Sequence, residues 1–253
     1  MDILSLSPDR FIDGDLPLYG DIKLLTAERH GDLFLTSEPS FAFASNAVVV
    51  PLTIDEFERA ALDYPIVFFG PARRAFAVMG ITPDKNAFID TAIGFRTGAY
   101  VPAYLRRHPF ALVKDREQDT WVLGVDETSD RLARSDACGA QSLFAEGIPT
   151  AALSDIVAFC ESYENAQQRT DRLVGLLDDL ELFEARQAHH QLPDAAGHPG
   201  EPVLLIDYVA INRGRLEALD EQARDLLRAA GGWGPSYAHL FSAANWERLA
   251  QMG

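Results

Sequence analysis

The chain has 253 residues, of which 38 are acidic and 22 are basic, so its formal net charge at neutral pH is −16. Such an excess of acidic residues argues against a protein that binds the phosphate backbone of nucleic acids or an anionic membrane surface. The longest apolar runs, at 47–52 and 65–70, are far shorter than the roughly 18 residues that a membrane-spanning helix needs. The sequence therefore predicts a soluble globular protein without a nucleic-acid partner or a membrane span.

Two features favour a cytoplasmic location. The chain has two cysteines, Cys138 and Cys160, and neither stands at metal-ligand spacing from another cysteine or histidine. Low cysteine content is typical of reducing compartments. The first residues also do not combine a basic start with an apolar segment, as a signal peptide does. We therefore expect a reduced, cytoplasmic chain.

Residues from about 20 to 145 are predicted to be rich in β-structure, because short apolar runs alternate with glycine and proline. We predict the first strands at 23–26, 33–36 and 47–52. Thr53, followed by two acidic residues, is a typical helix N-cap, and Pro65 stops a helix. The sequence therefore predicts a helix of about three turns from Ile54 to Asp63.

Two hairpins and a short helix complete this half. The run 66–69 pairs naturally with 76–81, and 111–113 pairs with 121–125. A further strand is expected at 86–90, and a short helix between Pro102 and His108. Together these elements predict a curved, mainly antiparallel sheet interrupted by short helices.

From about residue 150 to 253 the apolar spacing becomes mainly helical. Ser154 is the predicted N-cap of a long helix that reaches about Leu180. We expect a short extended or packing segment at 182–187 and a strand at 203–210. A helix from about Asn212 to the glycines at 231–232 and a final helix from 235 then close the chain. The predicted fold class is α+β, with residues 1–253 in a single domain.

Several segments, taken in this order, are specific together: 28–32, 50–68, 100–110, 125–127 and 237–240. They resemble the SapC-like family of soluble bacterial proteins, which takes its name from surface-layer loci, from about His30 to the C-terminal helix. A peptide-transport permease that shares the name is excluded by the lack of a membrane span. The resemblance implies a binding or accessory protein and assigns no reaction. His108 departs from the family pattern, which more often has tyrosine there, and we expect this difference to alter the edge of a pocket.

A metal site is one interpretation of the histidines. His30 and Asp32, with His239 as a third ligand, have the residue types of the two-histidine, one-carboxylate site that binds non-heme iron. On this interpretation the protein is a metal-dependent, oxygenase-like or other small-molecule enzyme. The alternative is that His30 and Asp32 shape the entry to a strand, where the carboxylate accepts backbone hydrogen bonds in a turn.

A second candidate is the basic pair Arg106 and Arg107, which stands out in an acidic chain. Guanidinium groups bind carboxylates and phosphates in bidentate fashion. A pocket around them would include Asp126 and three tyrosines, Tyr64, Tyr100 and Tyr104. The alternative is internal: one arginine forms an ion pair with Asp126 or Glu127, and the tyrosines belong to the core.

Three hypotheses of function follow. The leading hypothesis is a binding or accessory protein with a protein partner. The second is the iron-dependent enzyme, and the third is a pocket protein for a small anionic metabolite or peptide. The sequence contains no motif of the common hydrolases, nucleotide-binding loops or metalloproteases that would decide between a binding protein and an enzyme.

Overall fold

The computed structural model describes residues 16–36, 41–90, 92, 94–115, 120–134, 139–190 and 203–252, and Cys138 lies outside this set. Its first part consists of short strands and helices. The strands are β1 (Ile22–Leu24), β2 (Phe34–Leu35), β3 (Val49–Pro51), β4 (Ile66–Phe69), β5 (Arg74–Val78), β6 (Ile89–Asp90), β7 (Gly94–Phe95), β8 (Phe110–Asp115), β9 (Thr120–Asp126), β10 (Leu132–Ala133), β11 (Gln141–Ser142), β12 (Phe144–Ala145) and β13 (Ile148–Pro149). The α-helices among them are α1 (Ala27–His30), α2 (Phe57–Ala60) and α3 (Ala103–Arg107).

The second part is helical around one long hairpin. Its elements are α4 (Ala151–Asp179), β14 (Phe183–His190), β15 (Val203–Ile211), α5 (Arg213–Glu217), α6 (Glu221–Ala229), α7 (Trp233–Ser242) and α8 (Asn245–Ala250). The predicted α+β class is confirmed. Among the described residues, no helix combines the length and the apolar character needed to cross a membrane.

The largest sheet joins the two parts of the chain. Its five strands are all antiparallel and follow the order β14, β15, β4, β5, β3. Val209 of β15 lies opposite Phe68 of β4, so the C-terminal hairpin extends the sheet that begins in the first part. The segment predicted to be extended after Leu180 is β14, an edge strand of this sheet.

A three-stranded antiparallel sheet, in the order β1, β9, β8, positions the candidate site. Ile22 pairs with Asp126, and Phe110 pairs with Val125. This register brings the residues just before β1 next to the end of β9 and the start of β8. Smaller antiparallel groups are formed by β10, β2 and β11, by β12 and β13, and by β6 and β7.

The buried apolar residues form two clusters. The larger cluster packs both faces of β4 and β5, and its fully buried members include Phe57, Tyr64, Phe68, Phe76 and Leu105. The smaller cluster consists of Leu33, Phe110, Val125, Leu143, Phe144, Leu153 and Cys160. The apolar spacing predicted helix α4, and the helix supplies residues to both clusters. Burial raises the pKa of the Cys160 thiol to about 12, so this cysteine remains a packed thiol.

The predicted N-cap of the long helix was wrong by one turn. Thr150 is the N-cap, and its hydroxyl accepts a hydrogen bond from the backbone of Leu153 at 3.4 Å. Ser154 lies inside the first turn and donates to the carbonyl of Thr150 at 3.1 Å. Only the N-cap residue Thr150 separates β13 from α4.

Three predicted helices are shorter or divided in the structure. The helix expected over 54–63 is a 3-10 turn, Ile54–Glu56, followed by α2, although Thr53 and Glu56 form the expected capping box. The helix expected from Asn212 is divided into α5 and α6, because Asp220 accepts a hydrogen bond from the backbone of Ala223 and begins a new helix. The final helix begins two residues earlier than predicted and is divided into α7 and α8.

Candidate functional site

A cleft of about 440 Å³ opens where the chain before β1 meets the end of β9. This volume lies in the range of small-molecule sites. We call it the His108 cleft, and its lining residues are Leu18, Tyr19, Gly20, Phe43, His108, Asp126, Thr128, Ser129 and Asp130. They come from the segment before β1, the 3-10 turn at 42–44, the junction of α3 and β8, and the turn after β9.

Asp126 stabilises one wall of the cleft through hydrogen bonds. Its carboxylate accepts hydrogen bonds from the backbone N–H groups of Gly20 at 2.7 Å, Asp21 at 3.1 Å and Thr128 at 3.0 Å, and from the Thr128 hydroxyl at 2.7 Å. Burial raises the pKa of Asp126, but these hydrogen bonds outweigh it and lower the pKa to about 2. A side chain on Gly20 would collide with the Thr128 hydroxyl and would force Thr128 to move from its hydrogen bond with Asp126. Asp126 is therefore ionised and already well supplied with donors.

His108 forms the buried wall of the cleft. Its side chain is 1% exposed and stacks on Phe43, with ring centroids 3.7 Å apart and planes at 13°. Its Nε2 atom lies 3.5 Å from the Asp126 carboxylate, and Arg131 donates a hydrogen bond to its backbone carbonyl. Burial lowers the pKa of His108 to about 4, against the attraction of Asp126. The imidazole is therefore neutral at pH 7.

The proton of this neutral ring is assigned to Nε2, because the ionised Asp126 carboxylate beside that atom can only accept. Nδ1 of His108 then carries a lone pair. It is buried and has no hydrogen-bond partner among the described residues. Buried polar atoms are nearly always paired, and an unpaired one destabilises the fold by about 1–3 kcal/mol. The buried Nδ1 of His108, which lacks a hydrogen-bond partner among the described residues, is therefore the most unusual feature of the cleft residues.

Two non-glycine residues with left-handed backbone conformation flank the cleft. Leu18, in its lining, has φ of 72°, and Phe41, two residues before the stacked Phe43, has φ of 53°. Such conformations are unfavourable for large side chains and concentrate at functional sites. Leu18 in the lining and Phe41 near it are therefore held in conformations that their side chains do not favour.

Arg107, the neighbour of His108, lies in a closed cage of aromatic rings. Its guanidinium carbon is 4.1, 4.6 and 5.8 Å from the ring centroids of Tyr163, Tyr104 and Tyr19. It donates to Glu164 of α4 at 2.9 Å and is 3% exposed. Burial raises the pKa of all three tyrosines, so they present neutral π-faces to the cation. The predicted internal ion pair is present, but its partner is Glu164 and not Asp126 or Glu127.

Arg106 points away from this cage and is exposed. Its guanidinium lies over the rings of Tyr100 and Phe159, and its Nε donates to the Val101 carbonyl at 3.0 Å. This exposed guanidinium is the part of the basic pair that an anion can reach.

The three tyrosines predicted to line a pocket form internal hydrogen bonds. Tyr64 donates to the carbonyl of Tyr100, and Tyr100 donates to the buried Glu56 at 3.1 Å. Tyr104 donates to the carbonyl of Pro17 at 2.5 Å. None of these tyrosines is among the described residues that line the His108 cleft.

The structure assigns His30 and Asp32 to different partners. Nδ1 of His30 accepts the backbone N–H of Thr26 at 3.1 Å, and its Nε2 lies 3.0 Å from Glu127. Asp32 is exposed and pairs with Arg134 through both oxygens, at 2.7 and 2.9 Å. The turn between them follows α1, a one-turn helix that the sequence did not predict.

His239, the third predicted ligand, belongs to the large core. Its Nε2 accepts the backbone N–H of Ile211 at 3.0 Å, and its ring packs against Phe68. In the described parts of the chain, no group of three or more histidine, cysteine or acidic side chains is placed to hold a metal ion. His30, Asp32 and His239 are therefore not brought together.

Sequence reasoning named Asp126 but not its neighbours in the cleft. His108 carried one signal, its departure from the family pattern, and this signal predicted an altered pocket edge. Tyr19 and Phe43 carried none, because each lies in a short segment without a motif and reaches the cleft only through tertiary packing.

The chain was compared with known proteins. No curated protein and no solved structure matched it. A family model described as SapC matches residues 25–249, nearly the whole chain. This match confirms the resemblance found in the sequence, and the chain belongs to the SapC family.

Proposed function

We propose that this protein is a cytoplasmic binding protein whose ligand site is the His108 cleft. The observation that carries the proposal is that His108, whose buried Nδ1 has no hydrogen-bond partner among the described residues, belongs to the lining of a cleft of ligand size. An unpaired buried atom is unfavourable in the free protein and favours a state in which a ligand supplies the missing donor. The left-handed backbone of Leu18, which lines the cleft, adds a second indication at the same place.

Binding fits the chemistry of the cleft better than catalysis. A general acid or base must exchange its proton near the working pH. The pKa of Asp126 is about 2 and that of His108 about 4, so neither group titrates near neutrality. The four hydrogen bonds on Asp126 also leave its carboxylate in a structural role.

The anion-binding hypothesis has weaker support. Arg107 is enclosed by tyrosines and neutralised by Glu164, which leaves Arg106 as the accessible member of the pair. A single exposed arginine that already contacts two aromatic rings provides little of the convergent geometry that binds carboxylates or phosphates.

A neutral probe tests the proposed site. Isopropanol, titrated into the ¹⁵N-labelled protein, is expected to shift the backbone amide signals of Gly20, Thr128 and Ser129 in a saturable way. Ser129→Phe, which fills the cleft, should abolish this saturation. Ser162→Phe, on the exposed face of α4, is the matched control and should leave it unchanged. Linear, non-saturable shifts in the wild type, or equal behaviour of both variants, would contradict the proposed site.

A further inference from the structure

We infer that this protein forms a two-fold symmetric dimer, in which the outer edge of β14 pairs with the same edge of a second copy. The five-stranded sheet then continues across the interface as an antiparallel sheet. This inference goes beyond the proposed function, because no residue of β14 is among the described residues that line the His108 cleft. The observations behind it are the backbone groups of the strand, its exposure and its charges.

Strand β14 lies at one edge of the sheet, beside β15. The carbonyl of Leu182 accepts the backbone N–H of Asn212 at 2.7 Å, and these residues lie opposite each other in the register that pairs Phe183 with Ile211. In an antiparallel ladder, residues that bond to the neighbouring strand alternate with residues whose backbone groups point the other way. The residues that direct their backbone groups outward are therefore Phe183, Ala185 and Gln187.

Two further contacts agree with this orientation. The backbone N–H of Ile211, opposite Phe183, donates to His239 at 3.0 Å and not to β14. The carbonyl of Phe183 accepts from Arg215 at 3.0 Å, and Arg215 also donates to the Glu181 carbonyl at 2.8 Å. The next two outward-facing residues of β14 have no backbone partner on this edge in the described part of the chain.

The middle of this edge is also exposed. Three consecutive residues, Ala185, Arg186 and Gln187, are exposed, and the register shift of the hairpin lies beyond them, at Ala188 and His189. Proteins usually protect edge strands with lysine, proline or a covering element. Strand β14 contains neither lysine nor proline. Such an edge is a template for the addition of another strand.

The charges of β14 select one register with a second copy. In a two-fold ladder centred on Ala185, Glu184 lies opposite the partner's Arg186, and symmetry forms the same pair twice. These positions do not exchange backbone hydrogen bonds, so their side chains are closest and opposite charges stabilise the pairing. A ladder centred on Arg186 places two arginines opposite each other, and one centred on Gln187 places Arg186 opposite the partner's Ala188.

The backbone groups match in the register centred on Ala185. The two copies of Ala185 exchange both of their backbone hydrogen bonds, and the N–H of Phe183 meets the carbonyl of the partner's Gln187. The carbonyl of Phe183 has a second lone pair for the N–H of the partner's Gln187. Arg215 is exposed, so its side chain can move aside at this end of the ladder.

The contact between Glu184 and Arg186 within one protomer is compatible with this pairing. Arg186 donates to one oxygen of Glu184 through Nε, at 2.7 Å, and Nη2, and Asn212 donates to the other oxygen. A carboxylate accepts about four hydrogen bonds. The Arg186 side chain is 59% exposed, so its Nη1 can reach the opposite Glu184.

Charge reversal tests the register by sedimentation equilibrium across the micromolar range. Arg186→Glu and Glu184→Arg should each raise the Kd of the dimer by about tenfold or more, because each places like charges opposite each other twice. A mixture of the two variants should dimerise again, since every glutamate then faces an arginine of the partner. Arg228→Glu on α6 removes another exposed arginine with an acidic partner and, as the matched control, should leave the Kd unchanged.

Ala185→Pro tests the backbone pairing. Its N–H faces outward, so proline removes no hydrogen bond within the protomer and is tolerated at such an edge position. The dimer loses its central hydrogen bonds, and its Kd should rise by about tenfold or more.

A wild type that stays monomeric throughout the micromolar range overturns the inference. A dimer that both charge variants leave intact overturns it as well, and so does a mixture of them that remains monomeric. Circular dichroism of each variant establishes that the fold is intact. The isopropanol titration is independent of this edge, so failure of the dimer leaves the proposed function standing.

Discussion

Arg107 and His108 are consecutive in the chain and almost equally buried, but they belong to two different regions. The cage around Arg107 is closed: three tyrosine rings and Glu164 surround the guanidinium, and they come from α3, α4 and the segment before β1. The cleft around His108 is open, and its buried ring nitrogen lacks a partner among the described residues. Tyr19 contacts both regions, because its ring lies near the Arg107 guanidinium and near the His108 ring.

A buried charged or titratable side chain is by itself poor evidence for a ligand site. Arg107 looked functional in the sequence because it is basic in an acidic chain, and the fold provides it with a carboxylate and π-faces that stabilise it. The buried Nε of Arg107 also has no partner among the described residues. His108 differs because its unpaired atom belongs to a residue that lines the cleft, whereas Arg107 is not among the described lining residues. Mutations that separate stability from ligand binding test this distinction.

The largest effect is expected for Arg107→Ala. Removing the guanidinium leaves a cavity among three tyrosines and leaves Glu164 without its partner, so the free energy of unfolding should fall by about 3–5 kcal/mol. Arg106→Ala is the matched control and should change it by less than about 0.5 kcal/mol, because Arg106 is exposed. Urea denaturation followed by circular dichroism measures both. A small effect of Arg107→Ala would mean that the cage is not structural.

Acidic pH should destabilise the fold through two buried histidines. Burial lowers the pKa of both His108 and His239 to about 4, below the value of about 6.5 in the unfolded chain. Between these values the unfolded state binds more protons, so stability is complete above pH 6.5 and is lost as the pH falls toward 4. Each histidine contributes about 1.4 kcal/mol per pH unit, or about 3 kcal/mol over the window.

Asp126 does not interfere with this measurement. Its pKa of about 2 in the folded protein means that its contribution is lost only below the unfolded value of about 3.9. Urea midpoints at half-unit steps from pH 7 to pH 4.5 give the slope. A flat profile would contradict the buried, neutral state of both imidazoles.

His239→Phe should destabilise the protein by about 2 kcal/mol. His239 also has an unpaired Nδ1, but its Nε2 accepts the buried N–H of Ile211, which phenylalanine would leave without a partner. His239 is not among the described residues that line the His108 cleft, so the isopropanol titration should remain as in the wild type. Loss of isopropanol binding in this variant would contradict the distinction between His239, as a core residue, and His108, as a residue of the cleft.

Much of the fold was predictable because local signals determine it. The β-branched and aromatic run 66–69 forms β4, the turn at 70–73 joins it to β5, and Thr53 with Glu56 forms the expected cap. Helix α4 follows from apolar residues at helical spacing. The division at Asp220 was missed because an aspartate inside an apolar pattern is compatible both with a helix interior and with a new N-cap.

The candidate site was not predictable in the same way. The backbone of Gly20 donates to Asp126 across 106 positions of the chain, and no local pattern encodes such a contact. The same limit applies to the metal hypothesis, because His30 and His239 have suitable side chains but pack against Glu127 and Ile211 in different parts of the fold. Residue type predicted the candidate chemistry, and only tertiary packing decided which candidates meet.

The smallest and most diagnostic effect is expected for His108→Phe. Phenylalanine keeps the stack on Phe43 and removes the unpaired Nδ1, while Asp126 keeps its four hydrogen bonds, so the free energy of unfolding should rise by about 1 kcal/mol. The acid-induced loss of stability should fall to about half, and affinity for isopropanol should decrease. A variant that gains stability and loses ligand binding is expected where the wild-type residue serves binding at a cost in stability. Destabilisation by more than about 1 kcal/mol would instead place His108 with Arg107, as a residue that the fold itself requires.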